Sequence, residues 1–221
     1  MIDCVYVMHY SKLTERKRHL EQNIKEVGLD KYQIFWIEQF DREVITPEMF
    51  SQNYKYNPSI LPRPLTLPEI ANGIAHNHII QDIANNHNCS LILEDDIILK
   101  PNFTTYLENC IQKLPQDWEI FNIGGDYKHE AGFANDPSPI QSDPCILTYD
   151  KCAMTCSYLL RNSAAKKITS HHLFKPFSMP IDTTLCCICP DKNIQTYWCK
   201  PWLAYEGSKS SLYRTSLERG F

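Results

Sequence analysis

Residues 90–103 read SLILEDDIILKPNF. Leu91, Ile92 and Leu93 have the character of a strand entering a core, and Ile97, Ile98 and Leu99 continue it, yet Glu94, Asp95 and Asp96 stand between them. A buried carboxylate is costly unless it is paired. A chain carrying this stretch must therefore bring three acids to an edge of its fold and neutralise them there. A solvated turn would do so, and so would a strand end that offers oxygen ligands to a divalent cation. The pattern alone does not choose. Strand alternation places Glu94 and Asp96 on one face and Asp95 on the other. Mg²⁺ and Mn²⁺ prefer oxygen ligands and are often held by one or two carboxylates plus substrate phosphates. In the metal reading the cation bridges the protein to a diphosphate and acts as a Lewis acid on the departing phosphate oxygen.

The flanking segments supply the rest of an α/β pattern. CVYVMHY (4–10) reads as a buried first strand, and KYQIFWIEQF (31–40) as a second. Between them Leu13, Leu20, Ile24 and Val27 keep helical spacing, with Thr14 as the expected cap and Gly28 as the stop. Strand, helix, strand predicts the opening βαβ unit of a parallel sheet. The four prolines of 51–68 predict a loop or extended segment. Ile70, Ala71, Ile74, Ala75, Ile79 and Ile83 form one stripe, predicting a helix over 69–88 that leads into the acidic strand. A helix is expected over 101–114, and a strand over 117–125 ending in Gly124-Gly125. A polar, turn-rich stretch over 126–145 reads as a loop beside a site. A strand at 155–161, a helix capped by Asn162 or Ser163 and a helix starting near Asp182 follow. The expected fold is a single α/β domain over 1–221, with a mostly parallel central sheet flanked by helices. Its nucleotide-binding half spans about 1–100 and its acceptor-side half about 101–221.

Charge and composition narrow the function. The net charge of -4 at pH 7 carries no basic excess, which argues against nucleic acid as a partner. No apolar run reaches the length of a membrane span, although peripheral membrane contact stays open. The N-terminus MIDCVYVMHY lacks the basic and small-residue features of a leader, so the chain reads as cytoplasmic. The ten cysteines are then expected to be mostly free buried thiols. Zinc at CCIC (186–189) with Cys199 is a lesser alternative, since two separated C-x-x-C pairs are missing.

Several stretches, in order, carry a resemblance. VYVMHYSKLTERKRHL resembles a strand ending Ile-Asn-Leu followed by a basic helix, with Arg16 on the matching arginine and His9 and Tyr10 in place of Asn and Leu. LTLPEIANGIAHNHII matches a Glu-Ile-Gly-Cys…Ser-His segment at Glu69 and His76. SLILEDDIIL is similar to Leu-Val-Phe-Glu-Asp-Asp-Val, and MPIDTTL to Pro-x-Asp-x-x-Leu with Asp182 matching. DWEIFNIGG also fits, and PWLAYEGS has Glu206 where Gln is usual. Together, over roughly 5–215, these resemble glycosyltransferase family 25, the lipooligosaccharide-biosynthesis type, in a divergent form of viral or unusual bacterial kind.

The resemblance implies a GT-A-like hexosyltransferase with Mn²⁺ or Mg²⁺, a nucleotide-sugar donor with UDP favoured, a glycan or glycoprotein acceptor, and inversion at the anomeric carbon. It implies Asp96 as first metal ligand with Glu94 beside it, and Asp95 at the ribose or metal. His9 and Tyr10 fall at the base, Lys12 and Arg16 at the diphosphate, and Glu69 and His76 in the donor site. An inverting transfer needs one base. Asp182 is the first choice and Asp126, after the glycine pair, the rival. Each has a plainer reading: Asp182 as a helix cap, Lys12 and Arg16 as a solvated basic face, Glu69 as a helix-start acid, His76 as a buried structural histidine. Tyr205, Glu206 and Ser208 are expected to close over the donor sugar, or Glu206 to complete the metal site. A degenerate carbohydrate-binding or scaffold domain and a metal-dependent sugar nucleotidyltransferase are the alternatives; HYSKLTERKR lacks the glycines expected of the latter.

Overall fold

The computed structural model describes residues 2–125, 138–140, 143–148, 154–208 and 213. β1 (Cys4–Met8), α1 (Thr14–Glu26) and β2 (Gln33–Ile37) form the expected parallel unit, in register from Cys4 with Gln33 to Met8 with Ile37. Gly28 ends α1 at φ +72°, a left-handed conformation in which a Cβ would be strained. Thr14 is not the cap but the first helical residue, behind Leu13. Most of the proline-rich stretch, 54–66, is turn and irregular backbone as expected, with a helix at each end. A 3₁₀ turn (Arg42–Val44) leads to α2 (Pro47–Asn53), where Pro47 needs no N–H partner and the Thr46 side chain accepts the Met49 N–H at 3.1 Å. α3 (Leu67–Asn86) follows from a capping box between Thr66 and Glu69.

The remaining elements are β3 (Cys89–Glu94), β4 (Ile97–Leu99), α4 (Phe103–Lys113), β5 (Ile120–Asn122), β6 (Gly124–Gly125), β7 (Ser138–Ile140), β8 (Asp143–Thr148), β9 (Ser157–Arg161), α5 (Asn162–Thr169), α6 (Ile181–Asp191), β10 (Thr196–Cys199) and β11 (Ala204–Glu206). Eight strands form the main sheet in the order β2-β1-β3-β9-β5-β10-β8-β7. β1 is parallel to β2 and β3, and β5 to β10, while β9 and β8 run against their neighbours. The sheet is thus mostly of one direction, as expected, with two reversed strands. One face packs on α1 and α4, the other on α3, α5 and α6. β3 is buried on both faces: Leu91 and Leu93 face the first pair of helices and Ile92 the second set. Each such side chain contributes on the order of 1.5–3 kcal/mol.

Two predicted strands each divide between two sheets. The stretch 117–125 leaves the main sheet after Asn122 and joins a small sheet, β4-β11-β6, at Gly124. The acidic stretch does the same: β3 belongs to the main sheet, β4 to the small one, and Asp95-Asp96 turn the corner between them. β11 supplies the centre of the small sheet, antiparallel to β4 and parallel to β6, and so brings the C-terminal segment against the corner. Asn162 opens α5 without capping it; its amide instead donates to the carbonyls of Ile83, Ala84 and His87, closing the end of α3. No disulfide joins the nine described cysteines to one another. Cys189 lies on the α3 side of the sheet and Cys199 on the α1 side, so CCIC and Cys199 do not converge on one zinc site.

Candidate active site

Because β1, β2 and β3 are parallel and in register, their carboxyl ends open on one edge, where ligands bind in open α/β sheets. A cleft of about 110 Å³ lies there. Its walls come from His9 and Tyr10 after β1, Phe40, Asp41 and Arg42 after β2, and Pro68, Ala71, Asn72 and Ala75 on the first turns of α3. Glu94 and Asp95 form its floor.

The corner gives its three acids three different environments. Asp95 is answered by the protein itself. Its Oδ1 accepts from Arg16 Nη1 at 2.7 Å, and its Oδ2 from His9 Nδ1 at 2.8 Å and the Tyr10 N–H at 3.2 Å. Arg16 and His9 are each only 5% exposed, so this is a buried ion pair that ties α1 and the β1 loop to the corner. Arg16, one of the residues expected at the diphosphate, is thereby committed to Asp95.

Among the described residues Glu94 has no such cation. Burial, and after it the charges of Asp96 and Asp95, push its carboxyl up to about 8, against a hydrogen bond from Asn72. Asp96 is likewise raised, chiefly by burial, with hydrogen bonds from Ser208 and the Arg16 charge opposing. Its Oδ1 is buried with no hydrogen-bond partner. Its backbone carbonyl accepts the Gly207 N–H at 2.7 Å, and a Cβ on Gly207 would fall 2.7 Å from that same carbonyl oxygen. The C-terminal segment is therefore fitted closely against the acidic corner, and Tyr213 lies over the Arg16 guanidinium at 5.2 Å.

Other expected residues converge on this region. His76 is fully buried on α3, with Nδ1 3.1 Å from the Tyr158 hydroxyl and Nε2 3.6 Å from Glu94 Oε1. Burial pushes its pKa down to about 3, so the ring is neutral at physiological pH. Asp182 is the second residue of α6; Pro180 holds the cap position, and Asp182 Oδ1 accepts the N–H of Thr183 at 2.6 Å. Its charge acts on both Glu94 and His76. Glu206 bonds the thiol of Cys156, whose pKa rises well above its usual value, first by burial and then by the fields of Glu206, Glu94 and Asp96. Lys12 lies on the rim, bonded to Glu43 at 2.7 Å. Tyr10 donates to the same carboxylate at 2.6 Å and accepts from Arg42 Nη2 at 3.0 Å. Lys12 and then Tyr10 pull Glu43 down to about 2.

Glu69 stands apart. Its carboxylate closes the α3 capping box and pairs with Arg63 at 2.6 Å, which lowers its pKa to about 2. Only its neighbour Pro68 reaches the cleft. Asp126, the rival base, lies outside the described residues. Two cleft residues escaped the sequence reading. Asn72 is one turn before His76 on the same face of α3, a spacing that could have flagged it. Arg42 sits just past the carboxyl end of β2, where the strand-edge rule points.

Fold and cleft together define an α/β domain with a cleft at the strand carboxyl edge, carrying Arg42 on its wall and Glu94 and Asp95 at its base. The family described as "Glycosyltransferase family 25 (LPS biosynthesis protein)" matches residues 3–185, and the chain belongs to that family. Among solved structures it is similar to a glycosyltransferase involved in glycosylation of the major capsid of PBCV-1, at 16% identity and TM-score 0.40. That match covers 76% of this chain, which spans 65% of the viral protein's length. It is also similar to apo mouse xyloside xylosyltransferase 1, at 10% identity and TM-score 0.48, over 95% of this chain and 99% of the other. No curated protein sequence matches. No helix among the described residues is long and apolar enough to cross a membrane.

Proposed function

We propose that the chain transfers a hexosyl group from a nucleotide diphosphate sugar, with UDP favoured, to a hydroxyl of a glycan or glycoconjugate, with inversion and with help from Mn²⁺ or Mg²⁺. The observation that carries this reading is the pair of Glu94 and Asp96 at the corner, both raised chiefly by burial, with Asp96 Oδ1 buried and without a hydrogen-bond partner among the described residues. Among the described residues no group of three or more His, Cys, Asp or Glu is placed to hold a metal alone. Two carboxylates that need positive charge nevertheless fit a cation that completes its shell with substrate phosphates and water. When bound, the cation supplies Lewis-acid stabilisation of the leaving diphosphate.

The chain's own groups do the rest. The apolar wall of Phe40, Ala71 and Ala75 accommodates the nucleotide, while Lys12 and Arg42 exchange Glu43 for phosphate oxygens. Asp95 holds the corner rigid through Arg16 and His9. Asp182 takes the acceptor proton at Oδ2, because its Oδ1 is already used by Thr183. The carboxyl edge of residues 1–100 thus serves the donor and the α6 side serves the acceptor. The test is a screen of nucleotide sugars with Mn²⁺, with mass detection of donor hydrolysis and transfer. Asp96→Asn abolishes Mn²⁺-dependent donor hydrolysis in this reading; unchanged turnover in that variant removes Asp96 from the metal site.

A further inference from the structure

Tyr158 lies at the centre of the main sheet, paired with Ile92 of β3 on one side and Asn122 of β5 on the other. It is fully buried, and its position is fixed by two strands. Its ring stacks on the imidazole of His76 with an interplanar angle of 19° and centroids 6.0 Å apart. Its hydroxyl is 3.1 Å from His76 Nδ1. The far nitrogen, Nε2, has no hydrogen-bond partner and faces Glu94 Oε1 across 3.6 Å. The sheet therefore holds Tyr158, Tyr158 holds the imidazole, and the imidazole faces Glu94, an acid of the corner that lines the cleft.

A neutral imidazole carries one N–H, and the bond made by one nitrogen decides what the other presents. If Tyr158 O–H donates to Nδ1, the N–H is on Nε2 and points at the Glu94 carboxylate. Against an ionised Glu94, the form that binds a cation, the opposite tautomer would turn a lone pair on the carboxylate and repel it. We propose that Tyr158 is a positioning residue: it fixes His76 as the Nε2–H tautomer, and that N–H aims the Glu94 carboxylate for cation binding. The inference rests on the metal reading of Glu94. At 3.6 Å the two groups are not hydrogen-bonded in the ligand-free chain, so the proposal requires Glu94 to close on Nε2 when its ligand binds. Partners of this kind, which orient a ligand without touching the ion, typically change metal affinity about 10–100-fold when removed.

The test has two independent arms. Long-range ¹H–¹⁵N NMR of the wild-type chain at pH 9, where Glu94 is ionised, with His76 assigned by its loss in His76→Gln, reads the tautomer directly and needs neither metal nor nucleotide. The expected spectrum shows Nε2 protonated and Nδ1 as the lone-pair nitrogen. In Tyr158→Phe, which keeps the ring and the packing, the two nitrogens become mixed or exchange roles. Titration of Mn²⁺ in the presence of UDP then gives a Kd about 10-fold or more weaker for Tyr158→Phe, with a melting temperature confirming that the variant is folded. An Nδ1–H tautomer in the wild type overturns the proposal, as does a folded Tyr158→Phe with unchanged tautomer and Kd. A wild type that binds no Mn²⁺ with UDP overturns both the aiming role and the metal reading of Glu94; the tautomer arm still decides separately whether Tyr158 sets His76.

Discussion

Replacing Glu94 by glutamine should stabilise the ligand-free protein, and by an amount that grows with pH. Glu94 is carried from 4.5 to about 8 by burial and by the adjacent acids. A carboxyl raised on folding favours the folded state fully below its unfolded pKa, and that contribution is lost as pH rises through the folded pKa. The window is therefore about pH 4.5 to 8. At pH 7 the unfolded chain has released a proton that folded Glu94 retains, across roughly 2.5 pH units. At about 1.4 kcal/mol per unit this costs the wild type about 3 kcal/mol relative to its acid limit. Asp96, also raised, adds in the same direction. Glutamine is neutral, nearly the same shape, and keeps a hydrogen bond to Asn72, so it escapes the penalty. For a chain of this size each kcal/mol is worth about 2–4 °C, so Glu94→Gln should melt about 6–12 °C above wild type at pH 7 and near it at pH 4. Thermal melts from pH 4 to pH 9 without added metal measure the gap. A gap that is constant with pH, or that narrows as pH rises, refutes the reasoning. A stabilised variant with lost function is what a site under electrostatic strain should yield.

Asp95→Ala should act oppositely, leaving Arg16 and His9 buried without their carboxylate at a cost of about 3–5 kcal/mol, visible as a lowered denaturation midpoint; a neutral result would show that the pair does not hold the corner. Asp182→Asn should leave nucleotide affinity intact in calorimetry and stop transfer, and full transfer activity would remove it as base. Arg42→Ala should weaken binding of a nucleoside diphosphate about 10-fold while leaving the melting temperature within a few degrees; equal affinity would remove Arg42 from the phosphate site. Gly207→Ala should lower both stability and activity, because a Cβ there meets the Asp96 carbonyl and the Tyr213 ring. A fully active, equally stable Gly207→Ala would show that the C-terminal segment can give way at that point.

Much of the framework was legible because it is local. The βαβ opening, the long α3 and the strand into Glu94 all declare themselves by periodicity and by their stops. The corner does not, because it is made by contacts distant in sequence. Nothing in LILEDDII says that Leu93 and Ile97 belong to different sheets; that requires β11, more than a hundred residues later. The choice of Asp95 as the neutralised acid depends on where α1 delivers Arg16. Alternation set Asp95 apart from Glu94, but Asp96 lies in the turn with Asp95 and shares the field of Arg16, and only the fold shows which side has the cations. Glu69 illustrates the reverse case. Thr66-x-x-Glu69 is a capping-box signature, and in the fold the carboxylate serves that cap and Arg63. α2 escaped notice because about two turns of helix, begun by Pro47 just before the proline-rich stretch, leave no apolar period to detect.

The central claim is that the acids at the corner await a cation and a nucleotide diphosphate. Thermal denaturation of the wild-type chain with UDP and GDP, each with and without Mn²⁺, tests it most directly. Ligand at 100 times its Kd stabilises by about 2.7 kcal/mol. The expected result is a rise of about 5 °C or more with UDP plus Mn²⁺, absent with either alone and absent in Asp96→Asn. A folded protein whose melting temperature no nucleotide raises, with or without Mn²⁺, would contradict it.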